Sequence, residues 1–361
     1  MKWLKDFVLD LVQLFFRMVP HPMRPRLIVI GHPDRKSPVL VTTNCSLTVR
    51  RLVRALGRQD CYLLVAPAQG INVWCGAVGG HFTTESVISI VHTSGVEDLV
   101  DHHTLVLPVL AAPSINVRDL KQRLGWSAKF GPVRAEDIPE FFHNSMKLTQ
   151  AMRTVRFEVK DRLEMSVAMT GSIILRFFLF PLVIWGIRSE LLFMPTVLAL
   201  SLWQLGWYRE SSRKRDYLSR LGSYGLALSV PIFGCLIGSA PFQLSTALEV
   251  VCIAVGSVWV VQAASSGYTP FKQCSYSQAF YGQQPISIAV VEEDCTGCAI
   301  CAQVCPLDCF ERLPAGRAFD IIHPERCVEC GACLIQCPTG AVVNAHKLVS
   351  QAARELDRRA A

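Results

Sequence analysis

Eight of the fifteen cysteines in this 361-residue chain fall into two runs of identical spacing near its C-terminus. The runs read CTGCAICAQVCP and CVECGACLIQCP, and each is a C-x2-C-x2-C-x3-C-P pattern. Three thiolates from one tight loop can hold three irons of a cubane, and the fourth, just before the proline, swings to the neighbouring cluster. The spacing therefore groups Cys295, Cys298 and Cys301 with Cys337, and Cys327, Cys330 and Cys333 with Cys305, around two 4Fe-4S clusters. Zinc is the competing metal, but zinc sites use separated C-x2-C pairs rather than runs of four. The remaining seven cysteines form no paired framework, which fits a reducing compartment and not a disulfide scaffold. Among them Cys309 reads as packing rather than as a ligand.

Cys75 has a setting of its own, in GINVWCGAVGG. Asn72 can cap a helix that begins at Val73, which puts Cys75 in the first turn. There the unpaired backbone N–H groups and the helix dipole favour a thiolate over a thiol. Gly76, Ala77, Gly79 and Gly80 would leave one face of that helix without side-chain bulk. A large flat ligand can lie against such a face with the sulfur reaching its metal, and a corrin ring with cobalt meets those requirements. The blander alternative is that Trp74 and Cys75 are two apolar residues entering a core. A further cobalamin-type pattern, D-x-H-x-x-G, is incomplete in DHHTLV, where Val106 stands in place of glycine. Asp101 and His103 therefore read as a loop leading into a strand.

These residues need elements to hold them. Between 23 and 150, short apolar runs (RLIVIG, PVLVT, CYLLVA, HTLVLP) alternate with helical-period segments (SLTVRRLVRALG, TTESVISIVHTSG, NVRDLKQRLG). That rhythm predicts a small α/β domain with a largely parallel sheet. Ligands of such sheets sit at the carboxyl ends of the strands, and the turn carrying Cys75 follows one such end. Residues 1–22 predict an amphipathic helix, closed by Pro20 and Pro22, that lies on a lipid surface or on the protein itself. The segment 165–265 is nearly uncharged and predicts a transmembrane domain of about four helices. Its spans are Met165–Ile187 (which contains Arg176), Leu191–Tyr208, Leu221–Ala240 and Phe242–Ala264. The basic connection 208–220 would face the cytoplasm by the positive-inside rule, with the α/β and C-terminal modules on the same side of a multi-pass cytoplasmic-membrane protein. Residues 286–346 form the cluster module and 347–361 a charged tail.

Charge is divided along the chain. The net charge is +7, yet Ile286–His346 holds eight acidic and three basic residues. An acidic module on a basic body fits two modules that face each other, or a membrane surface. There is no nucleic-acid motif. Two cubanes conduct electrons but perform no chemistry of their own, and no flavin or nicotinamide fingerprint accompanies them.

The C-terminal module resembles a bacterial-type dicluster ferredoxin of α+β fold. NVWCGAVGGHFTTE looks like the cap-helix motif of the corrinoid protein of the bacterial mercury-methylating pair. PVLVTTN, HTLVLPVLAAPSINVRDLKQRLGW, KFGPVRAEDIPEFF and the SSGYTP that closes the apolar segment are also similar to that family. The family is related to the corrinoid iron–sulfur protein of the acetyl-CoA pathway, and its partner is a dicluster ferredoxin, here fused. The resemblance implies that Cys75 is the lower axial cobalt ligand, with Asn72, Val73, Trp74, Gly76 and Ala77 forming the cap against the corrin. It implies a corrinoid-dependent methyltransferase in which a strong anionic donor pushes electron density toward the methyl group. The methyl source would be a methylated folate or its methyltransferase, and the ferredoxin module, fed by a low-potential donor, would re-reduce cobalt. The acceptor would be Hg(II), another metal or metalloid, or a small molecule.

The chain also departs from that family. Val78 and Gly79 stand where the cap motif has Gly and Lys, and Val109 and Ala111 where Gln and Gly are expected. No cysteine follows Cys337, whereas a mercury relay would need soft thiolates. The competing function, from a different class, is a membrane-bound 4Fe-4S electron carrier without corrinoid chemistry.

Overall fold

Runs of β-branched and leucine residues without polar interruption form strands buried on both faces, and two of the strands here have that character throughout. The computed structural model describes residues 2–17, 19–57, 59–156, 287–314, 316 and 318–345, with isolated residues between 158 and 229. Its five-stranded sheet consists of β1 (Arg26–Ile30), β2 (Val39–Thr43), β3 (Cys61–Ala66), β4 (Thr104–Pro108) and β5 (Ser127–Gly131), in the order β1-β3-β2-β4-β5. β2, β3, β4 and β5 run parallel, and β1 is antiparallel to β3 at one edge. Every residue of β2 and β3 is buried.

Side chains alternate between the two faces of the sheet. Val39, Val41, Leu64, Leu105 and Leu107 point to one face, where Val87 and Ile90 of α4 (Thr84–Ser94) and Leu120 of α5 (Val117–Leu124) pack. Leu40, Leu63 and Val65 point to the other, against Val49 and Leu52 of α2 (Ser46–Ala55) and Phe141 of α6 (Ile138–His143). The result is a three-layer α/β sandwich. The short α3 (Val73–Val78) lies on the α4 side, at the carboxyl end of the sheet, and α7 (Gln150–Arg153) follows α6.

The C-terminal part is a duplicated unit. β6 (Ile288–Val290) pairs with β9 (Val342–Asn344), and β7 (Phe310–Arg312) pairs with β8 (Phe319–Ile321), all antiparallel. Each half carries one short helix, α8 (Ile300–Val304) or α9 (Ala332–Gln336). The offset from Cys295 to Cys327 also maps the left-handed residues Gly297, Ala299 and Asp308 onto Glu329, Gly331 and Gly340. Val304 and Ala332 of this module are buried in one apolar cluster with Val109 and Ala112, which follow β4.

The expected four-helix transmembrane domain, and with it the multi-pass membrane location and lipid partner, is corrected. Among the described residues no helix is long and apolar enough to cross a membrane. The segment 165–265 on which the spans were placed lies outside the described residues, apart from Ala168 and Ser229. The helix expected at the N-terminus is present as α1 (Lys2–Phe15). Its 14 residues rise about 21 Å, short of the roughly 30 Å hydrocarbon core of a bilayer. By contact the chain divides into two units, Met1–Val19 with Phe157–Gly282 and Pro20–Arg156 with Gln283–Ala361.

Candidate functional site

The chain leaves β3 at Ala66 and must turn before α3 can start. Gln69 and Gly70 take left-handed backbone angles there, φ 56° and 76°. A Cβ on Gly70 would fall 2.4 Å from the backbone nitrogen of Pro22, so only glycine fits. The turn is held by Asn44, a buried residue just beyond β2. Asn44 Oδ1 accepts hydrogen bonds from the N–H groups of Ala68 and Gly70, each at 2.9 Å. Its Nδ2 donates to Met23 O at 3.0 Å, and Met23 N donates back to Asn44 O at 2.9 Å. Sequence reading missed Asn44, although an asparagine closing a buried strand is a signal that could have found it.

α3 then starts at Val73 with Asn72 as its cap. Asn72 Oδ1 accepts from Cys75 N at 3.0 Å, and Asn72 Nδ2 donates to Cys75 Sγ at 3.3 Å. One amide thus grips the backbone and the sulfur of the same cysteine. Cys75 is 9% exposed and Trp74 half-buried. The face expected to lack bulk is smaller than the glycine count implied. Gly76 and Ala77 are buried with Val73, and a Cβ on Gly76 would meet Phe82 Cβ at 3.3 Å. Gly76 therefore serves packing against Phe82, and only Gly79 and Gly80 are open to solvent. Thr43 Oγ1, on the sheet face shared with Val73, is buried and has no hydrogen-bond partner.

Asp101 and His103 of the incomplete cobalamin pattern lie at the amino end of β4, the far end of the sheet from Cys75. Asp101 pairs with Arg35, and His103 meets the Trp126 ring edge-on at 5.1 Å. Both are accounted for structurally.

The eight C-terminal cysteines form two electrostatic groups. Cys301 senses the charges of Cys295, Cys298 and Cys337. Cys330 and Cys333 sense those of Cys305 and Cys327. Each group thus joins three cysteines of one run with the last of the other. Burial pushes the Cys301 and Cys330 thiols up to about 12, and raises Cys333 as well. Cys305 is drawn down to about 7, chiefly by a hydrogen bond from Cys309, which lowers Cys327 in the same way. Backbone donors reach both sulfurs, Cys309 N to Cys305 Sγ and Glu329 N to Cys327 Sγ, at 3.4 Å each. Cys309, expected only to pack, is buried and lies beside Cys305 and Cys327. Among the described residues no three His, Cys, Asp or Glu side chains converge on a single ion.

Residues 13–142 match the family described as CO dehydrogenase/acetyl-CoA synthase delta subunit, and residues 294–342 match the 4Fe-4S dicluster domain. The gamma subunit of the acetyl-CoA decarbonylase/synthase complex of Methanopyrus kandleri is 38% identical over 124 residues, which cover 34% of this chain and 26% of that protein. The corresponding subunit of Methanocaldococcus jannaschii is 31% identical over 128 residues, 35% of this chain and 26% of its own length. Subunit gamma 2 of Methanosarcina thermophila is 32% identical over 130 residues, 35% and 27% of the two chains. The matched segment spans about a quarter of the length of these relatives. The similarity lies on the acetyl-CoA-synthase side of the expected resemblance and does not extend to mercury methylation.

Proposed function

We propose that this chain is a corrinoid-dependent methyl carrier whose fused iron–sulfur module keeps it reduced. The observation that carries the reading is the double hold of Asn72 on Cys75 at the carboxyl end of the sheet. A bound corrinoid supplies a cobalt centre able to accept a methyl group and pass it on. Cys75 would hold it through Sγ, a single soft donor kept in place by the Asn72 amide. Trp74 precedes that cysteine as a half-buried ring, and the exposed Gly80, where a Cβ would meet nothing within 4 Å, leaves room at the end of the helix.

The two cysteine groups are read as cluster ligands, Cys295, Cys298, Cys301 and Cys337 for one and Cys305, Cys327, Cys330 and Cys333 for the other. Their support is the identical spacing of the two runs and their match to the 4Fe-4S dicluster domain over residues 294–342. In this reading a low-potential donor feeds the clusters, and a methylated folate or its methyltransferase supplies the methyl group. Relatives are named as subunits of acetyl-CoA decarbonylase/synthase complexes, so further protein subunits are expected partners. The acceptor is a metal ion, a metalloid or a small molecule.

The test compares anaerobic visible and EPR spectra of the wild type and Cys75→Ala after reconstitution with iron, sulfide and corrinoid. The expected result is about one cobalt per chain, with a signal that changes on substitution over an unchanged iron–sulfur background. Clusters without cobalt would leave the chain an electron carrier. Assay of the methylated protein with Hg(II) then decides whether mercury is the acceptor.

A further inference from the structure

We propose that Gln336 fixes which end of the iron–sulfur module faces the α/β domain, so that electrons arrive at the Cys298 group and leave from the Cys330 group. The inference rests on the reading of the eight cysteines as cluster ligands. In the duplicated module, Ile300 and Val304 of α8 occupy places equivalent to Ala332 and Gln336 of α9. All four sit at the contact with the α/β domain. Val304 and Ala332 are buried there with Val109 and Ala112, and Ile300 packs against them. Gln336 is 4% exposed.

A face of this kind, if wholly apolar, would discriminate only weakly against a half-turn that exchanges α8 and α9. Gln336 removes that degeneracy. Its Nε2 donates to Ala112 O at 2.9 Å and to Ile115 O at 2.7 Å. In the exchanged orientation Val304 would face those carbonyls and offer no donor, leaving buried polar groups unpaired.

The seated orientation has a direction. The Cys330 side chain packs against the same apolar cluster as Val109 and Ala112. Beyond Cys305 of the same group, Pro306 O accepts from Val155 N at 2.7 Å, and Asp308 pairs with Arg153 at 2.9 Å. The other group contains Cys298, whose side is open to solvent. The turn Val109–Ala111 that receives the module also packs against α3, the helix of Cys75. A low-potential donor outside the chain would lose one electron at the Cys298 end, and the Cys330 end would pass it on to reduce the cobalt of a corrinoid held in the α/β domain. No bond is made or broken, and no proton is transferred.

The experiment uses the full chain, reconstituted anaerobically with iron and sulfide alone. Cys298→Ser and Cys330→Ser assign the two EPR signals, and a soluble nickel chelate serves as a relaxation probe. In the wild type the chelate should accelerate relaxation of the Cys298-assigned signal severalfold more than that of its partner. Gln336→Glu keeps the shape but turns an acceptor toward two carbonyls, so it should abolish the difference. Gln336→Leu, which keeps the volume without the donor, should reduce it. Equal sensitivity of the two signals in the wild type would overturn the direction. Undiminished protection in Gln336→Leu at full iron content would overturn the role of Gln336, even if Gln336→Glu fails to load. The relaxation measurement does not require corrinoid, so failure of the methyl-carrier reading leaves the orientation standing and removes only the electron's destination. Absence of two clusters would instead refute the ligand reading.

Discussion

At the scale of single residues, Asn72 has two separable tasks. Its oxygen satisfies a backbone N–H at the start of α3, and its nitrogen meets the Cys75 sulfur. Asn72→Asp retains the acceptor and loses the donor to sulfur, whereas Asn72→Ala loses both. The alanine variant should unfold at lower urea, by about 1 kcal/mol, the usual value of an N-cap. The aspartate variant should keep wild-type stability while shifting the cobalt spectrum of reconstituted protein. Equal spectra would show that only the cap matters. This pair was legible in the sequence because a cap acts over three residues. The partners of Asn44 were not, since Ala68 and Gly70 are brought to it only by the parallel pairing of β2 with β3. Gly76 was read as ligand-facing for a related reason, as its neighbour Phe82 approaches only through the turn that ends α3.

Among the elements, β3 is the most deeply buried and carries an ionisable group at its start. Burial, and secondarily the charge of Asp60, pushes the Cys61 thiol from 9.0 up to about 12. A thiol whose folded pKa is raised contributes stability that is complete below the unfolded value and lost as pH climbs through the folded one. The α/β domain should therefore weaken between pH 9 and about 12, by up to roughly 4 kcal/mol at full ionisation. Urea titrations across that range should show the slope flattened in Cys61→Val, and an unchanged slope would refute this account. The four apolar strands and three amphipathic helices were predictable from their own composition and periodicity, including β1, whose apolar run is legible although it buries one residue in five. β5 and α6 were not. β5 has only one buried residue in five and is placed by its pairing with β4. α6 spans six residues with a proline in its first turn, too short for periodicity to show.

At the scale of the whole molecule, the division of charge between an acidic module and a basic body was visible in composition, and the Arg153–Asp308 pair is where the structure uses it. Both side chains are about one-fifth exposed, at 19% and 22%. Arg153 Nε is already buried without a partner, so removing the carboxylate leaves a poorly compensated charge, a loss of about 1–3 kcal/mol. In Asp308→Ala the denaturation midpoints from cluster absorbance and far-ultraviolet ellipticity should separate, whereas in the wild type they should coincide. Coincident midpoints in the variant would mean that the remaining contacts, the apolar cluster with the Gln336 and Val155–Pro306 hydrogen bonds, suffice to couple the modules. Composition could not show how the modules meet, because Val109, Ala112, Val304 and Ala332 read as ordinary small apolar residues until the fold assembles them. Hydropathy likewise overreached for the membrane spans, since apolar content alone does not demonstrate a helix of sufficient length.

The pinning of Met23 to Asn44 and the close approach of Pro22 to Gly70 have a mechanical consequence. The strap that enters the α/β domain is tied to the two residues that set the turn before α3. Tension applied to the chain ahead of Pro22 is therefore delivered to the seat of Cys75 before it loads the sheet. The entry of the chain into this domain and the seat of Cys75 share a single anchor.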